Sequence, residues 1–195
     1  MSPVVGSYAG LAARAMGWGY SSGVASFELI STTVLASSSA SVTFNLTAGQ
    51  QAAYKHLQLR MAVPSNAGAN GTYIRMQLNG DTAANYSRHE LTGQGSAVQS
   101  NSATSQTAIS VSVGSGTLES TLADGHILDL LDAFSTTKNK TIRNLTGAGA
   151  RSISIVSGAW FSTSAVSSIA LLAFSQGVAS TFGAGARFSI YGARG

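Results

Sequence analysis

From Ser26 onward the chain alternates apolar and polar residues with a period of two. In Ser41–Leu46, Val42, Phe44 and Leu46 alternate with Ser41, Thr43 and Asn45. In Tyr54–Val63, Leu57, Leu59, Met61 and Val63 face one way, while His56, Gln58 and Arg60 face the other. Thr72–Asn79 repeats the pattern with Ile74, Met76 and Leu78, and Thr107–Val113 with Ile109, Val111 and Val113. Such alternation marks strands with one buried and one wet face. Further strands are expected at Phe27–Leu35, Tyr86–Leu91, Ile127–Leu131, Thr141–Leu145, Ser152–Trp160, Ser168–Phe174 and Arg187–Tyr191. Leu118–Leu131 has a partly helical spacing but reads as a turn leading into a strand.

Turn chemistry separates these runs. Asn79-Gly80-Asp81 and Asn70-Gly71 are reversal signals, because Asn and Gly tolerate positive φ. Glycine-rich gaps follow at Gly93–Gly95, Gly114–Gly116, Gly147–Gly149 and Gly183–Gly185. Gln94–Gln106, rich in Ser, Ala, Gln and Asn, reads as a long surface loop. Many short strands joined by such turns predict an all-β, antiparallel β-sandwich of jelly-roll type over residues 26–195.

Residues 1–25 break the pattern. Gly6, Gly10, Gly17, Gly19 and Gly23 punctuate a stretch containing Leu11, Ala12, Met16 and Trp18, which limits any helix to a turn. This Gly-rich segment is expected to act as a docking arm, with Leu11, Met16 and Trp18 as its anchors. Buried tryptophans often supply much of an interface's energy.

Only 9% of the 195 residues are charged, against about 25% in an average protein. The surface must therefore be built of Ser, Thr, Asn, Gln, Gly and Ala, which cost little to desolvate when a neighbour covers them. The net charge of +4 comes from basic residues spread along the chain, with one local cluster at Lys138, Lys140 and Arg143. Nucleic-acid binding usually needs a concentrated stripe, so none is expected. There are no cysteines, which removes disulfides and thiolate chemistry. No apolar run reaches the length of a membrane-spanning helix, and the N-terminal residues lack the apolar core of a secretory signal. The N-x-S/T triplets starting at Asn45, Asn70, Asn85, Asn139 and Asn144 read as chance in a chain this rich in Ser and Thr.

Candidate chemistry is sparse. Gly19-Tyr20-Ser21-Ser22-Gly23 matches G-x-S-x-G, but that motif needs a preceding strand and a following helix. His56, His89 and His126 have no metal-ligand spacing; they read as solvent-facing or interface residues, with His126 just after a turn. Spacing says nothing about a site assembled from distant strands. Asp129 and Asp132 are three apart and so face opposite sides of a strand. Phe27, Phe44, Trp160, Phe174 and Phe188 read as core, whereas Tyr20, Tyr54, Tyr73, Tyr86 and Tyr191 fit core edges or carbohydrate platforms. No catalytic residue, cofactor or metal ligand is expected.

An ordered series of segments carries a resemblance. Phe27-Glu28-Leu29-Ile30-Ser31-Thr32-Thr33 leads to Ser41-Val42-Thr43-Phe44, Tyr54-Lys55-His56-Leu57-Gln58-Leu59-Arg60, Leu78-Asn79-Gly80-Asp81 and Asn85-Tyr86. Lys138-Asn139-Lys140-Thr141-Ile142-Arg143, Ser157-Gly158-Ala159-Trp160, Ser162-Thr163-Ser164-Ala165-Val166 and Phe188-Ser189-Ile190-Tyr191-Gly192 follow. The succession resembles a set of tailed-bacteriophage structural proteins, some of them minor tail proteins, over about residues 27 to 192. The resemblance implies a virion component made in the bacterial cytoplasm: a tail fibre, spike or tail-tip part, or alternatively a capsid decoration protein. Its expected partners are other virion proteins, further copies of itself (a trimer by analogy) and a host-surface glycan. A carbohydrate-binding module or glycan-active enzyme is the reading from another class.

Overall fold

The computed structural model describes residues 27–64, 73–111, 123–148, 152–175 and 178–194. The strands are β1 (Glu28–Val34), β2 (Ser41–Asn45), β3 (His56–Pro64), β4 (Tyr73–Leu78), β5 (Tyr86–Gln94), β6 (Ala97–Gln106), β7 (Ile109–Ser110), β8 (Ala123–Leu131), β9 (Lys140–Ala148), β10 (Ser152–Trp160), β11 (Ser168–Ser175), β12 (Val178–Ala179) and β13 (Arg187–Ala193). One short helix, α1 (Ala48–Ala53), precedes β3.

The pairing is a nested hairpin. β1 pairs with β13, β2 with β11, β3 with β8 and β4 with β7, all antiparallel. Lateral pairing of β13 with β3 and of β11 with β4 rolls these pairs into the sheets β1-β13-β3-β8 and β2-β11-β4-β7. This is the jelly-roll order expected from the sequence. Two hairpins are added to it. β5–β6 is inserted between β4 and β7, and β9–β10 between β8 and β11, and all four strands extend the first sheet to β1-β13-β3-β8-β9-β10-β5-β6.

The core lies between the sheets. Leu57, Leu59, Met61 and Val63 of β3 meet Ile74, Met76 and Leu78 of β4, with Phe44, Leu128, Leu130, Ile142, Ile169, Leu171, Phe188 and Ile190 around them. Alternation works because one face of each strand is buried and a one-residue slip would turn the apolar set outward. The Asn79-Gly80 turn follows the sequence signal, with φ of 54° at Asn79 and 67° at Gly80. Tyr86 closes the core behind this turn. Its hydroxyl accepts from Leu78 N at 3.0 Å and donates to Asp81 O at 3.1 Å, and its ring stacks on Trp160 at 6.3 Å.

Several expectations are corrected. The loop expected at Gln94–Gln106 is mostly strand β6, because its backbone pairs with β5 although its side chains follow no apolar pattern. The strand expected at Thr107–Val113 shrinks to Ile109–Ser110; Val111 is buried but outside a strand, and positions 112 and 113 lie outside the described residues. Gly93 and Gly147, expected in turns, sit inside β5 and β9. Phe27 is exposed and Phe174 only half-buried, so neither is core; Phe182, passed over in the sequence, is fully buried. Tyr86 is neither an edge nor a platform residue but fully buried.

Candidate functional site

The residues first assigned to the docking arm, Leu11, Met16 and Trp18, lie outside the described residues, as do the Gly19–Gly23 motif and Tyr20. The basic cluster does not form a surface. Lys140 is fully buried, its Nζ donating to Ser135 O at 2.6 Å and Lys138 O at 2.8 Å, and burial lowers its pKa. Lys138 pairs with Asp132 at 3.1 Å, and Arg143 stands opposite Asp129 across β8 and β9. Asp129 accepts from Gln58 Nε2 at 2.9 Å, so Asp129 and Asp132 serve separate contacts.

The histidines also separate. His56 Nδ1 accepts from the backbone of Asp132 at 2.9 Å, and His89 is exposed on β5. His126 corrects the solvent-facing expectation, since it sits inside β8 and is buried. Burial holds its pKa down to about 4, so the ring is neutral at pH 7. Its Nδ1 lies 3.0 Å from Thr146 Oγ1, which already accepts from Asn144 Nδ2 at 2.7 Å. This group belongs to a polar inner face that runs from β8 into the extension and also includes Glu90, Thr92, Asp124 and Ser154, all buried. Arg88 pairs with Glu90, and Thr92 Oγ1 donates to Glu90 Oε1 at 2.8 Å. Among the described residues, Asp124 Oδ1, Asn144 Oδ1 and Ser154 Oγ have no hydrogen-bond partner, and burial pushes Asp124 up to about 6. Among the described residues, no three His, Asp or Glu side chains gather as a metal would need.

The opposite, outer face of the long sheet is where the chain is unusual. One lateral row runs Thr32, Ser189, Arg60, Ile127, Leu145, Ile155, Leu91, Ser100 across all eight strands. Its middle is four adjacent apolar side chains, each about half exposed, with Ile153 beside them equally exposed. The neighbouring row is small: Ala62, Gly125, Gly147, Ile153, Gly93. A Cβ at Gly125 or Gly147 would meet nothing within 4 Å, so these glycines leave open space above the sheet. The row on the other side is polar: Gln58, Asp129, Arg143, Ser157, His89, Ser102.

Two depressions result. One, of about 510 Å3, lies over the glycines and is walled by Arg60, Ile127, Leu145, Arg187 and Tyr191. Arg60 is held in place there by the Tyr191 ring at 4.6 Å, the Phe27 ring at 5.6 Å and a 2.8 Å bond from Nε to Gln58. The second, of about 630 Å3, lies between Leu91, Ile155 and the β6 serines. The sequence shows the apolar residues of these strands on both sides of the alternation; only the sheet order reveals that four of them align outward.

The fold and this face define a jelly-roll sandwich whose enlarged sheet presents an apolar stripe to the outside. No protein family, curated protein or solved structure matches the chain.

Proposed function

We propose that the chain is a non-enzymatic structural protein of a bacteriophage virion, associated with the tail as part of a fibre, spike or tail tip. The observation that carries this reading is the outward row Ile127, Leu145, Ile155 and Leu91. A row of adjacent apolar side chains on a pleated face costs free energy in water and gains it when a neighbour covers it, at about 25 cal/mol per Å2 of apolar area buried. The low charge content of the chain as a whole suits burial of its surface against another subunit. Jelly rolls serve elsewhere as capsid and lectin domains, which supports the class by analogy. The ordered resemblance to tailed-phage structural proteins supplies the virion context. The glycine-floored depression beside Tyr191 is where a host-surface glycan would find both an aromatic edge and arginine donors.

Quantitative mass spectrometry of purified particles, scaled to the major capsid protein, tests this. A few copies to a few tens per particle fit the tail reading. Hundreds assign the protein to capsid decoration, and absence from the particle overturns the virion reading. Within it, removal of residues 1–24 is expected to abolish incorporation while leaving the β domain folded.

A further inference from the structure

We propose that β6 is a self-pairing edge, through which two copies of this chain join β6 to β6, antiparallel, about a two-fold axis. The pairing would merge two eight-stranded sheets into one. It is a property of the edge and holds whether or not the protein is built into a virion.

β6 ends the long sheet, and its free side offers backbone N–H and C=O groups to no further strand among the described residues. Proteins usually blunt such an edge with short length, lysine, proline, bulges or a covering element. Among the described residues β6 has almost none of these. It is ten residues long and contains no charged residue and no proline. Its ladder with β5 is regular from Ala97 to Ala103, and irregularity comes only at the far end, at Tyr86/Arg88 and at Ser105 with φ of 54°.

The side chains of β6 give it no reason to be ordered in a lone chain. Nine of its ten residues are exposed and none is buried. Ordering a backbone costs conformational entropy at every residue, and elsewhere in the sheet burial of side chains offsets that. In β6 one ladder of hydrogen bonds must do so alone. A second ladder on the free side supplies the missing term.

The opposite edge shows the contrast. β1 is seven residues long, has a register shift between Leu29 and Ser31, and ends at Glu28, which Arg194 and Tyr54 hold at 3.1 and 2.8 Å. It is guarded as edges usually are, which favours β6 pairing with itself over head-to-tail pairing with β1. A two-fold contact must be self-complementary. The central residues Gln99, Ser100, Asn101, Ser102 and Ala103 satisfy this, because no like charges can meet.

Sedimentation velocity of the full chain at micromolar concentration tests the proposal. The expected species is a dimer. Ser100 and Ser102 are exposed and lie on the outer face opposite Leu91 and His89. Antiparallel self-pairing centred on Asn101 sets Ser100 of each copy beside Ser102 of the other, and a shift of the centre by one residue still sets one of the two serines beside its own copy. Ser100→Lys with Ser102→Lys, and separately Ser100→Glu with Ser102→Glu, should each be monomeric with unchanged circular dichroism. An equimolar mixture of the two should re-form a dimer. A monomeric or trimeric parent chain, a lysine variant that stays dimeric, or a mixture that fails to re-pair would each overturn it.

Discussion

The carboxylate of Asp81 accepts the indole N–H of Trp160 at 2.7 Å, tying the β4–β5 turn to the end of β10. The same carboxylate accepts from Asn85 Nδ2 at 3.0 Å and Ala83 N at 2.8 Å, and these bonds hold its pKa below the usual carboxylate range. Trp160 is buried, so its N–H has no water to turn to once the acceptor goes. Leaving a buried donor unmet costs about 1–3 kcal/mol. Asp81→Ala should therefore lower the melting temperature by about 4 to 8 °C, for a loss of about 2 kcal/mol in a domain this size. A depressed carboxylate contributes stability above its unfolded value of 3.8 and loses it as the pH falls through the lower folded value. The gap between parent and variant should close in acid, below that value. A thermal melt of both proteins at neutral and acid pH checks this.

Asp124 and His126 should give stability opposite slopes with pH. Asp124, raised from 3.8 to about 6, favours the folded state most below 3.8 and loses that contribution as pH rises through 6. His126, lowered from 6.5 to about 4, contributes fully above 6.5 and loses it as pH falls through 4. In the parent the two effects oppose each other between pH 4 and 6. Single variants expose them. Asp124→Asn, which removes a buried charge, should raise the melting temperature by about 2 to 4 °C at pH 8 and lose stability on acidification. His126→Gln should instead gain stability as the pH falls from about 6 towards 4. Urea titrations across this range decide it; parallel profiles for the two variants would contradict the assignment.

Much of the jelly roll was legible because its strands bury one face. β2, β3, β4 and β10 sit within a residue or two of their expected bounds, as the alternation of Val42/Phe44 or Ile74/Met76/Leu78 demands. β6 was missed for the complementary reason. Its side chains bury nothing, so only its partner strand marks it as a strand. Helix α1 carries a signal that is local and readable in the sequence. Thr47 and Gln50 form a reciprocal capping box, with Gln50 N to Thr47 Oγ1 at 3.2 Å and Thr47 N to Gln50 Oε1 at 2.8 Å. The outer apolar row could not be read at all, because Leu91 and Ile155 become neighbours only through the order of the extension. Likewise, nothing local to His126 shows that Thr146 and Asn144 enclose it.

Glycines in the long sheet should divide into two kinds. Gly147 lies in β9 opposite Gly125, with open space where a side chain would stand. Glycine inside a strand costs about 0.5–1 kcal/mol, so Gly147→Thr should stabilise by that amount, or about 1 to 4 °C. At Gly192 a Cβ would stand 2.3 Å from Tyr54 Cγ, and at Gly158 it would stand 2.7 Å from the backbone oxygen of Ser87. Gly192→Ala and Gly158→Ala should each cost about 1–3 kcal/mol through overpacking. Thermal melts of the three variants test the division. A Gly147→Thr protein that is more stable yet incorporates poorly into particles would show that the depression above it is in use.

Leu145 and Ile155 face each other across β9 and β10 in the outer row, and neither contributes to the buried core. Replacing them should therefore leave folding nearly untouched, because surface substitutions away from structural features stay within about 0.5 kcal/mol. Assembly should respond quite differently. If a virion neighbour covers the row, each truncation at its centre removes about 1 to 2 kcal/mol of binding. Leu145→Asn combined with Ile155→Asn should then lower incorporation tenfold or more, each 1.4 kcal/mol being a factor of about ten. The variant's dimerisation through β6 should persist, since the edge backbone is unchanged. Particles from complemented and variant infections, compared by quantitative mass spectrometry, give the incorporation, and sedimentation of the purified chain gives the dimer. Full incorporation of this double variant would remove the outer row from the assembly interface and leave the β6 edge as the remaining contact to pursue.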